Sequence, residues 1–213
     1  MTRIAVLASG RGSNFEALAA AAREGRLPVR LVLLLSDRQD AGALAIAARF
    51  GIPSAVIAPV KPRGRLDARS EERFLAACQG AGADWICLAG FMRILGPGFL
   101  AAYRDRVLNI HPSLLPAFPG LDAQGQAWAY GVRVSGCSVH LVDEGIDSGP
   151  IVLQCAVPVL AGDSAAALAA RILVEEHRLY PAALARLLKE PWRREGRRLV
   201  FGSDFTTDAE GKA

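Results

Sequence analysis

Ile4-Ala5-Val6-Leu7-Ala8-Ser9-Gly10-Arg11-Gly12-Ser13-Asn14 decides how the rest of the chain is read. Five apolar residues in a row, closed by glycines, suit a strand buried on both faces. An alanine-rich stretch of helical character follows over 14–24. The order repeats. Apolar runs at 30–36, 54–57, 85–88 and 107–110 alternate with helix-favouring stretches at 42–50 and 69–81, and a shorter helical turn follows Gly96-Pro97-Gly98. Continuous apolar strands separated by helices predict a parallel sheet covered on both faces.

The second half departs from this alternation. A helix is expected at 123–130, then strands at 136–142 and 151–157, joined by the polar loop 143–149. That pair should extend the sheet, partly antiparallel. A long helix is expected over 164–190, with Gly162-Asp163-Ser164 at its N-cap, and Pro181 should kink it or split it in two. The tail from Thr206 is polar and expected to fray. The prediction is a single α/β domain over 1–213. It has a mostly parallel twisted sheet of about seven strands, helices on both faces and a Rossmann-like N-terminal half. Residues 1–100 would form a phosphate- or nucleotide-binding lobe and 101–205 a catalytic lobe.

The chain has 213 residues, 52% hydrophobic and 22% charged, an ordinary globular balance. Arg, Asp, Gly or Pro interrupts every apolar run before it reaches membrane-spanning length. The run after Met1-Thr2-Arg3 lacks a basic leader and meets Gly-Arg-Gly at once, so it reads as a core strand and not a signal segment. Cys78, Cys87, Cys137 and Cys155 show no metal-type or disulfide-type spacing, and no metal is called for; a cytoplasmic setting fits. The net charge of +4 carries little weight as a nucleic-acid signal, because 22 of the 25 basic residues are arginine in an Ala- and Gly-rich chain. The cluster Arg193-Arg194 and Arg197-Arg198 reads as a solvated face. Lysine occurs only at 61, 189 and 212, none in a strand or a glycine-rich turn, which argues against Schiff-base and P-loop chemistry.

Asn109-Ile110-His111-Pro112-Ser113-Leu114-Leu115-Pro116 carries the chemistry. Residues two apart on a strand face one side, about 7 Å apart, so Asn109 and His111 leave room between their tips for one small reacting group. A carboxamide can stabilise an oxyanion and an imidazole can move protons, the pair that acyl chemistry needs. A histidine before proline can also be a packed structural residue, although its backbone is held extended. His140, within an apolar strand, reads as structural, and His177 as half exposed on the long helix. The Ser9–Asn14 turn suits a phosphate at a helix N-terminus or a plain turn capped by Ser13 or Asn14. It has only two of the three glycines of a dinucleotide fingerprint, although Asp37 follows the second strand. The loop Asp143-Glu144-Gly145-Ile146-Asp147-Ser148-Gly149-Pro150 lacks the acid periodicity of a calcium loop; it is either a solvated connection or a source of a carboxylate that orients His111.

Taken together, these pieces resemble the phosphoribosylglycinamide formyltransferase family of folate-dependent enzymes. The likeness runs from Ser9–Asn14 to Glu175-Glu176-His177. Its most specific blocks are Gly90-Phe91-Met92-Arg93-Ile94-Leu95, residues 109–116, and Asp147-Ser148-Gly149-Pro150. The resemblance implies the formyltransferase fold and transfer of a formyl group from 10-formyltetrahydrofolate to a phosphoribosylglycinamide amine. It implies Asn109, His111 and Asp147 as the catalytic set and Gly12, Ser13 and Asn14 at the substrate phosphate. Glu176 would meet the ribose hydroxyls, with Leu173, Val174 and Glu175 beside it. Arg69, Met92, Arg93, Ile94, Leu95, Asn109 and the loop Val142, Asp143, Glu144, Gly145, Ile146, Asp147 would form the folate pocket. Partners would be small molecules, without nucleic acid or membrane, and the protein a monomer or homodimer. The sequence departs from the family after Pro119-Gly120-Leu121, where many relatives carry His or Arg and this chain has Asp122-Ala123-Gln124-Gly125-Gln126. Gly125 should weaken its helix by about 1 kcal/mol relative to Ala. Two relatives sharing the folate site are disfavoured: one formylating initiator methionyl-tRNA should carry a second domain, for which 213 residues leave no space, and a deformylase an N-terminal regulatory one, whereas this sequence is expected to start at once with the catalytic lobe. A non-catalytic nucleotide-binding regulator is disfavoured by the intact Asn109, His111 and Asp147.

Overall fold

The computed structural model describes residues 1–60 and 64–202. The elements run β1 (Thr2–Leu7), α1 (Ser13–Arg23), β2 (Val29–Ser36), α2 (Gly42–Phe50), β3 (Ser54–Val56), β4 (Gly64–Arg65), α3 (Ala68–Gly80), β5 (Trp85–Leu88), β6 (Arg93–Ile94), α4 (Pro97–Ala102), β7 (Val107–His111), α5 (Ala123–Tyr130), β8 (Val134–Leu141), β9 (Ile151–Pro158), α6 (Ala165–Lys189), β10 (Trp192–Glu195) and β11 (Arg198–Phe201). Nine strands form one sheet in the order β10-β11-β9-β8-β7-β5-β1-β2-β3, and β4 and β6 pair separately. The pairs from β3 through β2, β1 and β5 to β7 are parallel, whereas β8 runs antiparallel to both β7 and β9.

The alternation of side chains explains why the first strands are apolar throughout. Ile4 and Val6 of β1 enter one core, shared with α1, α2, α5 and α6, while Ala5 and Leu7 enter a second, shared with α3 and α4. In β5, Trp85 and Cys87 face the first core and Ile86 and Leu88 the second. A strand with helices on both sides has no solvent face to make polar.

Two expectations need correction. The sheet has nine strands, because Trp192–Glu195 and Arg198–Phe201 form an arginine-rich hairpin at its edge. Only one side of that hairpin reaches the core, through Phe201, with the Arg186 guanidinium 3.8 Å from the centre of its ring. The arginines are exposed, as expected of a solvated face, but they ride on strands. Pro181 also fails to split the long helix: α6 is continuous through it. The loss of one backbone bond costs about 3 kcal/mol. It is outweighed by the buried stripe of Ile172, Glu176, Tyr180, Ala183, Leu184 and Leu187. Among the described residues, no helix is long and apolar enough to cross a membrane. The tail expected to fray from Thr206 lies outside the described residues.

Candidate active site

The parallel order puts the C-terminal ends of β1, β5 and β7 side by side, at the edge where open α/β sheets bind ligands. Leu88 at the end of β5 pairs with Asn109 of β7. The Ser9 N–H at the end of β1 donates to Gly90 O at 3.1 Å. The glycine-rich turn, the segment 90–95 and the Asn109-His111 strand therefore share one crevice. The Tyr180 hydroxyl of α6 reinforces it from below, 2.8 Å from Leu88 O and 3.0 Å from Leu108 O.

On β7, Leu108 and Ile110 enter the α6 core, so Asn109 and His111 must face the other way. On β8, Cys137, Val139 and Leu141 enter the same core, which turns Ser138 and His140 toward Asn109 and His111. The register sets Asn109 opposite His140 and His111 opposite Ser138. His140 Nδ1 lies 2.9 Å from Leu141 O, a carbonyl that can only accept, so Nδ1 carries the proton. Nε2 lies 3.1 Å from Asn109 Nδ2, which donates to it when the ring is neutral. The second Asn109 proton points to Asp147 Oδ1 at 3.4 Å. His111 Nε2 lies 2.9 Å from Phe118 O and its Nδ1 lies 3.3 Å from Asp147 Oδ2. Both partners are acceptors, so both bonds form only when the ring carries two protons.

Asp147 links these groups. Its φ is +48°, in the left-handed region that non-glycine residues seldom occupy. Its Oδ2 accepts from the Gly120 N–H at 2.8 Å and its Oδ1 lies 3.5 Å from His140 Nε2. Burial pushes its pKa up, but the bond to His140, the Gly120 N–H and the charges of His111 and His140 outweigh this and hold it below the ordinary carboxylate value. The structure thus brings Asn109, His111 and Asp147 together and adds His140, which the sequence reading assigned a structural place. A histidine in an otherwise apolar strand was the available signal; the register that makes it useful was not.

The Ser9–Asn14 turn is built around Gly12. Its φ is +86°, and a Cβ there would lie 2.7 Å from Ala43 Cα. Gly12 occupies the N-cap of α1, with no side-chain cap bond, so neither Ser13 nor Asn14 caps the helix. Asn14 instead donates through Nδ2 to Glu176 Oε2 at 2.8 Å, and its buried Oδ1 has no partner among the described residues. Burial raises the Glu176 pKa despite the opposing Asn14 bond and Arg11 charge. The neighbours of Glu176 diverge around α6. Val174 is exposed, Glu175 pairs with Arg178 at 3.1 Å and approaches Cys155, and Leu173 is half-buried one turn before Glu176. Only Glu176 of the four reaches Asn14.

Of the segment expected at folate, the Met92 N–H donates to Ser9 Oγ at 2.8 Å while its side chain is exposed. Arg93 Nε is 2.6 Å from Asp37 Oδ2 in a nearly buried pair. Ile94 accepts from the Leu66 N–H at 3.0 Å, and the carbonyl of buried Leu95 accepts from Arg65 Nη1 at 2.8 Å. Arg65, four residues earlier in the chain, thus makes the contact to this segment, whereas Arg69 stands exposed in the first turn of α3. In the loop after β8, the Val142 N–H donates to Val107 O, and Asp143 Oδ1 accepts from Gly145 N–H and Ser148 Oγ. Glu144, Gly145 and Ile146 project outward at its exposed tip.

Known proteins are similar to this chain over most of its length. A Bacillus subtilis phosphoribosylglycinamide formyltransferase is 41% identical over 188 residues, covering 88% of this chain and 95% of its own. A trifunctional purine biosynthetic protein adenosine-3 from Drosophila pseudoobscura pseudoobscura is 46% identical over 90% of this chain, which spans only 14% of that longer protein. The crystal structure of a glycinamide ribonucleotide transformylase from Symbiobacterium toebii superposes with a TM-score of 0.89 at 46% identity, covering 94% of each chain. A formyltetrahydrofolate deformylase from Pseudomonas syringae is more distant: TM-score 0.86, 26% identity, 94% of this chain and 65% of its own. Residues 2–184 match the family described as Formyl transferase, and the chain belongs to that family.

Proposed function

We propose that this chain transfers the formyl group of 10-formyltetrahydrofolate to the amine of 5'-phosphoribosylglycinamide, giving the N-formyl product and tetrahydrofolate in de novo purine synthesis. The observation that carries this is the convergence of Asn109, His111 and Asp147 beside the ends of β1 and β5. The near full-length likeness to the Bacillus subtilis enzyme supports the substrate assignment. Residues 1–100 act as the phosphate lobe, with Gly12, Ser13 and Asn14 at the phosphate and Glu176 at the ribose. Residues 101–205 act as the catalytic and folate lobe, and Met92–Leu95 with the 142–147 loop flank the folate. Small molecules in a cytoplasmic setting are the partners.

The chemistry follows from the donors. The amine attacks the formyl carbon directly, with no covalent enzyme intermediate, and a tetrahedral oxyanion forms. Asn109 Nδ2 and protonated His111 donate to it. The contacts to Asp147, at 3.4 Å and 3.3 Å, are longer than the other bonds of Asn109 Nδ2 and His111, at 3.1 Å and 2.9 Å, and these are the bonds the oxyanion replaces. Each such donor is worth about 10²–10³ in rate. Asp147 orients the imidazole and, through water after attack, helps move the amine proton toward the departing folate nitrogen, which is worth about 10²–10⁴.

The test mixes the protein with a 10-formyl folate and follows folate absorbance with and without glycinamide ribotide. Release that requires the amine supports the transferase. Release without it selects a deformylase, and no release in either case overturns the assignment.

A further inference from the structure

The loop that carries Asp147 has a gap behind it. A cleft of about 390 Å³ separates Asp147 and Gly149 from Arg197, Arg198 and Leu199 of the C-terminal hairpin, with Pro116 also on its wall. Among the described residues, no side chain is packed into this space behind the loop, and polar contacts brace it. Its base is fixed: the Leu141 N–H donates to Pro150 O at 2.9 Å, and a Cβ on Gly149 would lie 1.8 Å from Leu141 O. Its tip is braced by Asp143, whose Oδ1 accepts from Ser148 Oγ at 2.6 Å. Across the cleft, Arg197 Nη2 donates to Ser148 O at 2.8 Å.

Ser148 follows Asp147, whose φ of +48° is strained. Such a conformation persists only where its surroundings hold it. Arg197 is held in turn. It follows Gly196, at φ +60°, in the turn between β10 and β11, and Arg198 pairs with Ile151 at the start of β9. The edge of the sheet thus positions a guanidinium against the peptide next to Asp147.

We propose that Arg197 is a positioning residue for formyl transfer: its bond to the Ser148 carbonyl holds Asp147 at the distance that His111 and His140 require. This rests on the transferase reading above. Arg197 touches neither the glycine turn nor the 92–95 segment among the contacts described, so its loss should act on turnover, and on folate affinity only through the 142–147 loop, while affinity for the phosphoribosyl substrate holds.

The test compares Arg197→Ala and Arg197→Lys with the wild type. Expected for Arg197→Ala is a fall in kcat of about tenfold to a hundredfold, as for other small misplacements of reacting groups. KM for the phosphoribosyl substrate and Tm should stay near wild type, amide exchange should quicken at 143–150 only, and Arg197→Lys should recover part of the rate by supplying one donor. A kcat within about twofold of wild type, below what a lost positioning contact produces, would overturn the proposal. So would a rate loss matched by a general fall in Tm and by faster exchange throughout the protein. If the wild type itself transfers no formyl group, the transferase reading fails, while the exchange measurement still decides whether Arg197 holds the loop.

Discussion

The two ends of the crevice are made of different material. On the parallel side, the glycine turn offers backbone N–H groups at the start of α1, and the Met92 N–H is fixed by Ser9. On the antiparallel side, the site consists of side chains projected from β7, β8 and the loop after β8. The carboxylates at the two ends differ accordingly. Glu176 has one bond from Asn14 and the Arg11 charge, too little against burial, and its pKa rises. Asp147 has the Gly120 N–H and two imidazoles, and its pKa falls. A main-chain site needs one residue type at one place, whereas a side-chain site needs several strands in register.

The largest effect should come from the side-chain end. His111→Ala or Asp147→Ala should lose about 10² or more in turnover with the fold preserved, since each removes an oxyanion donor or its support. Near-normal turnover in either variant would take that residue out of the mechanism. At the main-chain end, Gly12→Ala forces a Cβ to 2.7 Å from Ala43 Cα at a positive φ. The strain should cost about 1–3 kcal/mol in thermal unfolding. KM for the phosphoribosyl substrate should rise while that for the folate holds, and an unchanged KM would remove the phosphate from this turn.

The carboxylates sharpen the comparison through pH. Asp147 has a depressed folded pKa, so its stabilisation is present above the ordinary carboxylate range and is lost as pH falls through the folded value. Asp147→Asn should therefore lose stability less steeply in acid. Glu176 has a raised folded pKa, so its contribution is full in acid and is lost as pH rises through that value. Glu176→Gln should raise Tm at neutral pH and leave it unchanged in acid; opposite behaviour would contradict the burial argument. The smallest effect belongs to Gly125→Ala. The atoms nearest the new Cβ belong to the movable Asp122 carboxylate, 2.2 Å from Oδ2 where it now stands. With Asp122 displaced, α5 should gain about 1 kcal/mol in chemical denaturation.

What the sequence revealed follows the same division. Four apolar runs, those of β1, β2, β5 and β7, announced the parallel strands because burial on both faces leaves few polar positions; the short edge strand β3 is largely exposed. Gly12 announced the turn because its positive φ and the nearness of Ala43 leave no place for a side chain. Asn109 and His111 were legible from local spacing on one strand. His140 was not, because its partnership with Asn109 depends on the β7–β8 register, set by the stretch from Pro112 to Arg133 that separates the two strands. Asp147 could be named only through the family resemblance, since its left-handed backbone and its bonds to Gly120 and His111 are tertiary. The β10–β11 hairpin was hidden by arginines that keep its outer face wet. Helical geometry, by contrast, distributes Leu173, Val174, Glu175 and Glu176 around α6, and contiguity in sequence could not make them one surface.

The central claim is that Asn109, His111 and Asp147 act as one unit, and the most direct test is the kcat of His111→Ala, Asp147→Ala and the double variant under saturating substrates. A single unit predicts that the double variant is about as slow as the slower single one. Losses that multiply would show two independent contributions and contradict the account.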